Sequence, residues 1–156
     1  LFNDSYAWYD IYIDGNNKFY DHKTAALIRD ELSHFIDDIS KNPNIDAHNI
    51  TLIGFSQGAI ISHAISFSYP EKIKNIMALS GVIDEKIMKK TNLVQKTNIY
   101  VSHGTNDNVI DYEISKESLN FYTKNNIDFQ FESYNQGHGI NQENLESMIK
   151  WLKGNV

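Results

Sequence analysis

The pentapeptide G-F-S-Q-G at residues 54–58 constrains the fold of this chain more than any other segment. It lies between the apolar run of residues 50–53 and a helical pattern that begins near Ala59. A serine in a G-x-S-x-G pattern between strand and helix is typical of a sharp turn that exposes its hydroxyl. We expect glycine on both sides because a side chain there would collide with the neighbouring strand or helix. The pattern predicts Ser56 as a nucleophile.

The pentapeptide alone leaves a chance match open, because short patterns of this kind recur in unrelated proteins. A serine hydroxyl is a weak nucleophile near neutral pH, so it needs a histidine base and a carboxylate that orients the base. In folds that carry this turn, the three residues follow one another along the chain in the order Ser, Asp, His. The remainder of the sequence must supply the acid and the base.

Asp107 closes the polar stretch S-H-G-T-N-D of residues 102–107, directly after an apolar run. His138 lies in the tripeptide G-H-G of residues 137–139, after the next apolar run. The carboxyl ends of parallel strands meet at one edge of a sheet, where loops carry catalytic residues. We therefore predict Asp107 as the acid and His138 as the base. The alternatives are a turn or cap role for Asp107 and an accidental position for His138.

The other histidines have simpler interpretations. We expect His22, His34, His48 and His63 to be surface or structural residues, since they lie in or beside predicted helices. His103 directly precedes a glycine in the loop of Asp107, and we expect it to hold that loop rather than transfer protons.

The order of apolar segments predicts an α/β fold. Strands are predicted at residues 49–55, 73–79, 98–102 and 127–134, and helices at 22–41, 57–68, 109–125 and 141–153. Residues 1–19 are predicted as a loop, and the pattern of residues 83–93 is mixed. Strands that alternate with helices imply crossover connections and a mainly parallel sheet flanked by helices. The length of 156 residues fits one domain, residues 1–156.

Composition excludes several classes of function. A net charge of -6 without a Lys/Arg cluster argues against a nucleic-acid partner. The absence of cysteine excludes disulfides, thiolate metal sites and a cysteine nucleophile. No histidine or carboxylate spacing indicates a metal site, so we expect neither a metal nor a cofactor. No apolar run approaches the length of a membrane span, and we expect a soluble, cytoplasmic protein.

Four segments together resemble the phospholipase/carboxylesterase family of α/β-hydrolases, which includes acyl-protein thioesterases. Residues 8–11 resemble its W-[FY]-D segment, residues 54–58 its G-F-S-Q-G, residues 103–109 its H-G-x-x-D segment with the valine that follows, and residues 137–138 its G-x-H region. The resemblance implies an α/β-hydrolase that cleaves small-molecule carboxylic esters or thioesters through an acyl-enzyme. It places Ser56, Asp107 and His138 at the catalytic triad, and the backbone N–H of Gln57 in the oxyanion hole.

The family also has earlier strands and an H-G-x-G-like loop that supplies a second oxyanion donor, and this chain has neither before Trp8. We therefore expect the chain to be the carboxyl-terminal portion of the fold, with further residues upstream. Without them, the strand at residues 49–55 would be an open, apolar sheet edge. Two other functions stay open: a degenerate hydrolase-fold domain that binds without turnover, and a serine peptidase on the same scaffold.

Overall fold

The core of the protein is a four-stranded parallel sheet, seen in a computed structural model that describes residues 6–14, 17–91 and 96–156. Its strands are β3 (Thr51–Phe55), β4 (Asn75–Leu79), β5 (Asn98–Gly104) and β6 (Gln130–Tyr134), in spatial order β3-β4-β5-β6. The predicted fold class is confirmed. Because consecutive parallel strands are neighbours, their carboxyl ends and the loops that follow them share one edge.

Three long helices match their predicted positions closely. They are α1 (His22–Ile39), α2 (Gln57–Ser68) and α5 (Gln142–Asn155). The carboxylate of Asp21 caps α1 by accepting from the N–H groups of Lys23 and Thr24, and the Asn141 side chain caps α5. The cap residues and the apolar periodicity agree for α1 and α5, which explains why these two helices could be predicted, whereas α2 follows from the pentapeptide and its apolar composition.

The predicted helix over residues 109–125 is wrong in its start and in its continuity. The structure has two short helices instead, α3 (Tyr112–Ser118) and α4 (Asn120–Lys124). The carboxylate of Asp107 binds the N–H groups of Val109 and Ile110 in a turn, and Asp111 then caps α3. The apolar periodicity of the segment hides these two successive side-chain caps. Within the mixed stretch, residues 85–87 form a single 3₁₀ turn, and residues 92–93 lie outside the described residues.

The predicted loop over residues 1–19 is also wrong in part. Strands β1 (Ile11–Asp14) and β2 (Asn17–Tyr20) pair as an antiparallel hairpin, while residues 1–5 and 15–16 lie outside the described residues. The strands contain β-branched and aromatic residues, which favour extended backbone. The two residues between the strands, Gly15 and Asn16, are a local hairpin signal that the loop prediction left unused.

Two apolar layers cover the faces of the sheet. Alternate residues of β4 point to opposite faces. Ile76 and Ala78 join a core with α1 and α2, whereas Met77 and Leu79 join a second core with α5. Helix α2 is buried from Ala59 to Ser68, as expected for a central helix that is apolar on most sides. The sheet is therefore packed between helices on both faces, and the loops at the carboxyl ends of its strands extend from this packed core.

Strand β3 lies at an edge of the sheet, with β4 as its one strand partner among the described residues. The side chains of Ile53 and Phe55 are 57% and 40% exposed. An exposed apolar edge of this kind agrees with the expectation from the sequence. None of the helices within the described ranges combines the length and apolar character needed to cross a membrane.

Candidate active site

Ser56 occupies the turn between β3 and α2 in a backbone conformation that favours glycine. Its φ of 54° and ψ of -117° place a serine in a region that L-residues rarely adopt, which costs about 1–3 kcal/mol. The turn is held because the Ser56 N–H donates to Leu79 O at 2.9 Å, and Ser56 O accepts from Ala59 and Ile60. The strained turn presents the hydroxyl at the carboxyl edge of the sheet.

The two glycines of the pentapeptide have different roles. A Cβ at Gly54 would lie 2.2 Å from Gly58 O and 2.6 Å from the hydroxyl of Ser62, so a side chain is excluded there. A Cβ at Gly58 would meet only the indole nitrogen of Trp8, at an ordinary 3.8 Å. The expectation that both glycines prevent a collision is right for Gly54 and wrong for Gly58, where a Cβ would make only an ordinary van der Waals contact.

The structure brings together the three side chains predicted as acid, base and nucleophile. His138 Nε2 lies 3.1 Å from Ser56 Oγ, and His138 Nδ1 lies 2.7 Å from Asp107 Oδ2. The side chain of Asp107 is fully buried, whereas 16% of the His138 side chain is exposed. The ring of Phe55 packs against the imidazole with centroids 4.8 Å apart. This arrangement can move a proton from the serine to the histidine.

The environment of Asp107 favours its ionised form. Burial raises the pKa of this carboxyl, but hydrogen bonds from His138 and from the N–H groups of Ile110 and Val109 outweigh it and lower the pKa below its usual value. The backbone N–H groups bind Oδ1 at 2.8 and 2.9 Å, which leaves Oδ2 to accept from His138. A carboxylate bound in this way can orient an imidazole and stabilise its cation.

The loops that carry Asp107 and His138 are tied to each other. Asn106 N donates to Gln136 O at 3.0 Å, and a Cβ at Gly104 would lie 2.3 Å from Gly137 O, so only glycine permits this approach. The Gln136 side chain accepts from Asn141 N and donates to Gly139 O, which braces the backbone on both sides of His138. The sequence analysis missed Gln136, because a glutamine in a loop carries no pattern that reveals such a brace.

Gln57, the residue predicted in the oxyanion hole, is the first residue of α2. The N–H groups in the first turn of a helix have no intrahelical acceptor and carry the positive end of the helix dipole. The side chain of Gln57 was not singled out from the sequence, yet it clamps the backbone of the preceding segment. Its Oε1 accepts from Trp8 N at 3.1 Å, and its Nε2 donates to Tyr9 O at 2.8 Å.

A cleft of about 590 Å³ adjoins Ser56, a size typical of sites for small organic ligands. One wall is residues 6–12 and the other is residues 55–58. Exposed aromatic side chains are concentrated there, namely Tyr6, Trp8, Tyr12 and Phe55. The cleft can accept a small ligand that places an apolar group between these walls and a reactive carbon beside the serine hydroxyl.

The remaining histidines lie away from this cleft. His34 and His48 are exposed, and His22 pairs with Asp84 at 3.1 Å. His63 is buried, which lowers its pKa to about 3, and its Nδ1 lies 2.6 Å from the hydroxyl of Tyr122. These surroundings agree with surface and structural roles. Within the described part of the chain, no group of three histidine, aspartate or glutamate side chains is arranged to hold a metal ion.

Comparison with known proteins places the chain in a family. The model of the Phospholipase/Carboxylesterase family matches residues 2–156. The chain belongs to that family. The acyl-protein thioesterase 1 of Candida albicans is 33% identical over 96% of this chain and 69% of its own length. A probable SOBER1-like carboxylesterase of Arabidopsis thaliana is 32% identical over 83% of this chain and 54% of its own length.

Solved structures agree with the family. The esterase PE8 superposes with a TM-score of 0.82 at 25% identity, covering 97% of this chain and 71% of that protein. The Bacillus cereus carboxylesterase has a TM-score of 0.81 at 23% identity, covering 95% and 68%, which shows the shared fold. The predicted family and enzyme class, a carboxylesterase- or thioesterase-type hydrolase, are confirmed at the level of the family. The chain spans 69% and 66% of two fungal acyl-protein thioesterases that it matches.

Proposed function

We propose that this protein hydrolyses carboxylic esters or thioesters with Ser56 as nucleophile, His138 as general base and acid, and Asp107 as the carboxylate that orients His138. The single observation that carries the proposal is the continuous chain of contacts from Asp107 Oδ2 through both imidazole nitrogens to Ser56 Oγ, at 2.7 and 3.1 Å. The three residues lie on three different loops, at the carboxyl ends of β3, β5 and β6. A parallel sheet brings these ends together at one edge.

The proposed reaction begins when Ser56 Oγ attacks the substrate carbonyl carbon and its proton passes to His138 Nε2. Asp107 stabilises the imidazolium without taking the proton itself. The tetrahedral intermediate then collapses, and His138 donates the proton to the departing alcohol or thiol. A water molecule attacks the acyl-enzyme by the same steps, releasing the carboxylic acid and restoring the serine hydroxyl.

The negative oxygen of the tetrahedral intermediate needs preorganised donors. We assign one of them to the backbone N–H of Gln57, because it lies next to the nucleophile at the amino terminus of α2. The helix dipole adds to the stabilisation of negative charge at this point.

The aromatic cleft beside Ser56 favours substrates with an apolar acyl group. Its walls carry exposed Tyr6, Trp8, Tyr12 and Phe55, which would lose contact with water when an acyl chain binds. Names of relatives, acyl-protein thioesterase and probable carboxylesterase, support the choice of thioesters and esters as the substrate class.

The test is hydrolysis of p-nitrophenyl butyrate and of a butyryl thioester by the wild type and by Ser56→Ala. The variant should lose roughly 10⁴- to 10⁶-fold in kcat with little change in KM, because the missing group acts in the chemical step. Ser133→Ala is the matched control, since Ser133 is an exposed serine on β6. A loss of only tenfold in Ser56→Ala, or equal losses in both variants, would contradict the proposal.

A further inference from the structure

His103 is a fully buried histidine that the proposed mechanism does not use. It is the penultimate residue of β5, and its ring lies beneath the loop of Asp107 with no exposed surface. Its Nε2 is 2.9 Å from the backbone oxygen of Ile110. A carbonyl oxygen can only accept, so the ring proton must be on Nε2. The other nitrogen, Nδ1, has no hydrogen-bond partner within the described residues.

The Nε2–H of His103 contacts both Ile110 and Asp107, which also contact each other. Ile110 accepts from His103 through its oxygen and donates its own N–H to Asp107 Oδ1 at 2.9 Å. His103 Nε2 is also 3.3 Å from Asp107 Oδ2, the oxygen that faces His138. The Nε2–H group therefore lies beside Oδ2 and, through Ile110, is linked to the N–H that holds Oδ1. The neighbouring ring is Tyr112 of α3, with centroids 6.3 Å apart.

The two nitrogens of His103 differ in their contacts. Nδ1 makes no hydrogen bond to the described part of the chain. An apolar side chain of similar volume could fill the same buried space, but it would leave Ile110 O without its donor. The contacts of Nε2 with Ile110 and Asp107 therefore call for an N–H donor at this position.

We propose that His103 is a positioning residue: its Nε2–H fixes the turn of residues 107–110 so that Asp107 Oδ2 stays aimed at His138. The inference rests on the proposed function of Asp107 and His138. His103 does not touch substrate and moves no proton. It acts through Asp107 alone, and this restriction makes the inference testable.

The first test compares His103→Leu, which removes the donor, with His103→Gln, whose terminal amide nitrogen can reach the position of Nε2. In His103→Leu, kcat for p-nitrophenyl butyrate should fall about 10- to 100-fold with KM unchanged, the scale expected for a small misplacement of a catalytic group. His103→Gln should recover most of the lost kcat. The melting temperature of His103→Leu should fall by about 2–4 °C, because Ile110 O loses its donor, and His103→Gln should restore most of it.

Wild-type kcat in His103→Leu, or its complete loss of fold, would overturn the proposal. So would equal losses of kcat in the leucine and glutamine variants.

The second test is a double-mutant cycle with Asp107→Asn. Because His103 acts through the carboxylate, His103→Leu should cause little further loss of kcat in the Asp107→Asn background. If the loss of kcat in the double variant equals the product of the two single losses, His103 acts independently of Asp107 and the proposal is overturned. Ser56→Ala and Asp107→Asn are measured in the same assay. Full activity in these two would contradict the proposed function, whereas their inactivity beside a fully active His103→Leu would contradict this inference alone.

Discussion

The side chain of Asp107 is fully buried, so its carboxylate contacts protein groups rather than solvent. Two backbone N–H groups hold Oδ1, and His138 Nδ1 lies 2.7 Å from Oδ2. In this position the carboxylate can select the tautomer of His138 that leaves Nε2 free to accept the serine proton. The proposed chemistry thus depends on one buried charge.

Asp107→Asn should therefore reduce kcat by about 10⁴-fold at neutral pH, by analogy with the same substitution in the well-studied serine protease triad. Asparagine keeps the size of the side chain but removes the charge that stabilises the imidazolium. The measurement is steady-state hydrolysis of p-nitrophenyl butyrate, with Asp111→Asn as the control because Asp111 only caps α3. Activity near that of the wild type in Asp107→Asn, beside a large loss in Asp111→Asn, would show that the acid is assigned to the wrong residue.

The lowered pKa of Asp107 also predicts a dependence of stability on pH. A carboxyl whose pKa is lower in the folded state than in the unfolded state contributes stability above the unfolded value of 3.8. That contribution is lost as the pH falls through the folded value. Denaturant unfolding at about pH 6 and about pH 3 should show the stability advantage of the wild type over Asp107→Asn shrinking at the lower pH. An advantage that grows on acidification would contradict the ionised, hydrogen-bonded state of Asp107.

Among the elements, the amino terminus of α2 connects the nucleophile to the cleft. The side chain of Gln57 makes two hydrogen bonds to the backbone of Trp8 and Tyr9, so it holds one wall of the cleft against the turn of Ser56. The buried ring of Tyr9 packs edge-on against Tyr20 and fixes the same wall to the hairpin. These contacts therefore link α2, the turn of Ser56 and the cleft wall of residues 6–12 to one another.

Gln57→Ala should loosen this wall while leaving the backbone N–H of residue 57 in place. Each lost hydrogen bond is worth about 1 kcal/mol, so KM for a medium-chain p-nitrophenyl ester should rise about tenfold, with a smaller change in kcat. Gln142→Ala on α5 is the matched control, because Gln142 is an exposed glutamine. An unchanged KM in Gln57→Ala would show that the clamp does not shape the substrate site.

The elements differ in how well the sequence predicts them. Periodicity and capping residues are local signals that predict α1 and α5, and short apolar runs are local signals that predict α2 and the four parallel strands. The start of α3 is set by two successive local turns, at Asp107 and at the cap Asp111, which the apolar periodicity of the segment masks. The two residues between β1 and β2, Gly15-Asn16, are also a local hairpin signal that went unused. By contrast, the braces made by the side chains of Gln57 and Gln136 escape prediction, because their partners are backbone groups whose positions only the fold defines.

At the scale of the whole molecule, a polar network joins the sheet to α5 on the face away from α2. The buried side chain of Asn144 accepts from Ser102 Oγ and donates to Tyr100 Oη, both at 3.1 Å. The hydroxyl of Tyr100 continues the network to Glu132 on β6. This network fixes α5, and with it the end of the loop that carries His138.

Asn144→Ala should therefore destabilise the protein by about 2 kcal/mol, because the buried Ser102 hydroxyl loses its acceptor and Tyr100 Oη loses one of its partners. Lys150→Ala, an exposed position on the same helix, should change the stability by less than about 0.5 kcal/mol. Denaturant unfolding of both variants measures the difference. Equal stabilities would mean that apolar packing alone holds α5 to the sheet.

The central claim, that Ser56 is an activated nucleophile, is tested most directly by fluorophosphonate labelling followed by mass mapping of the modified residue. A fluorophosphonate reacts with a serine whose hydroxyl is activated by a neighbouring base, and other serines of the folded protein remain unmodified. We predict modification of Ser56 alone, no labelling of Ser56→Ala, and slower labelling of Asp107→Asn. Labelling of a different serine, or no labelling of the folded wild-type protein, would contradict the assignment.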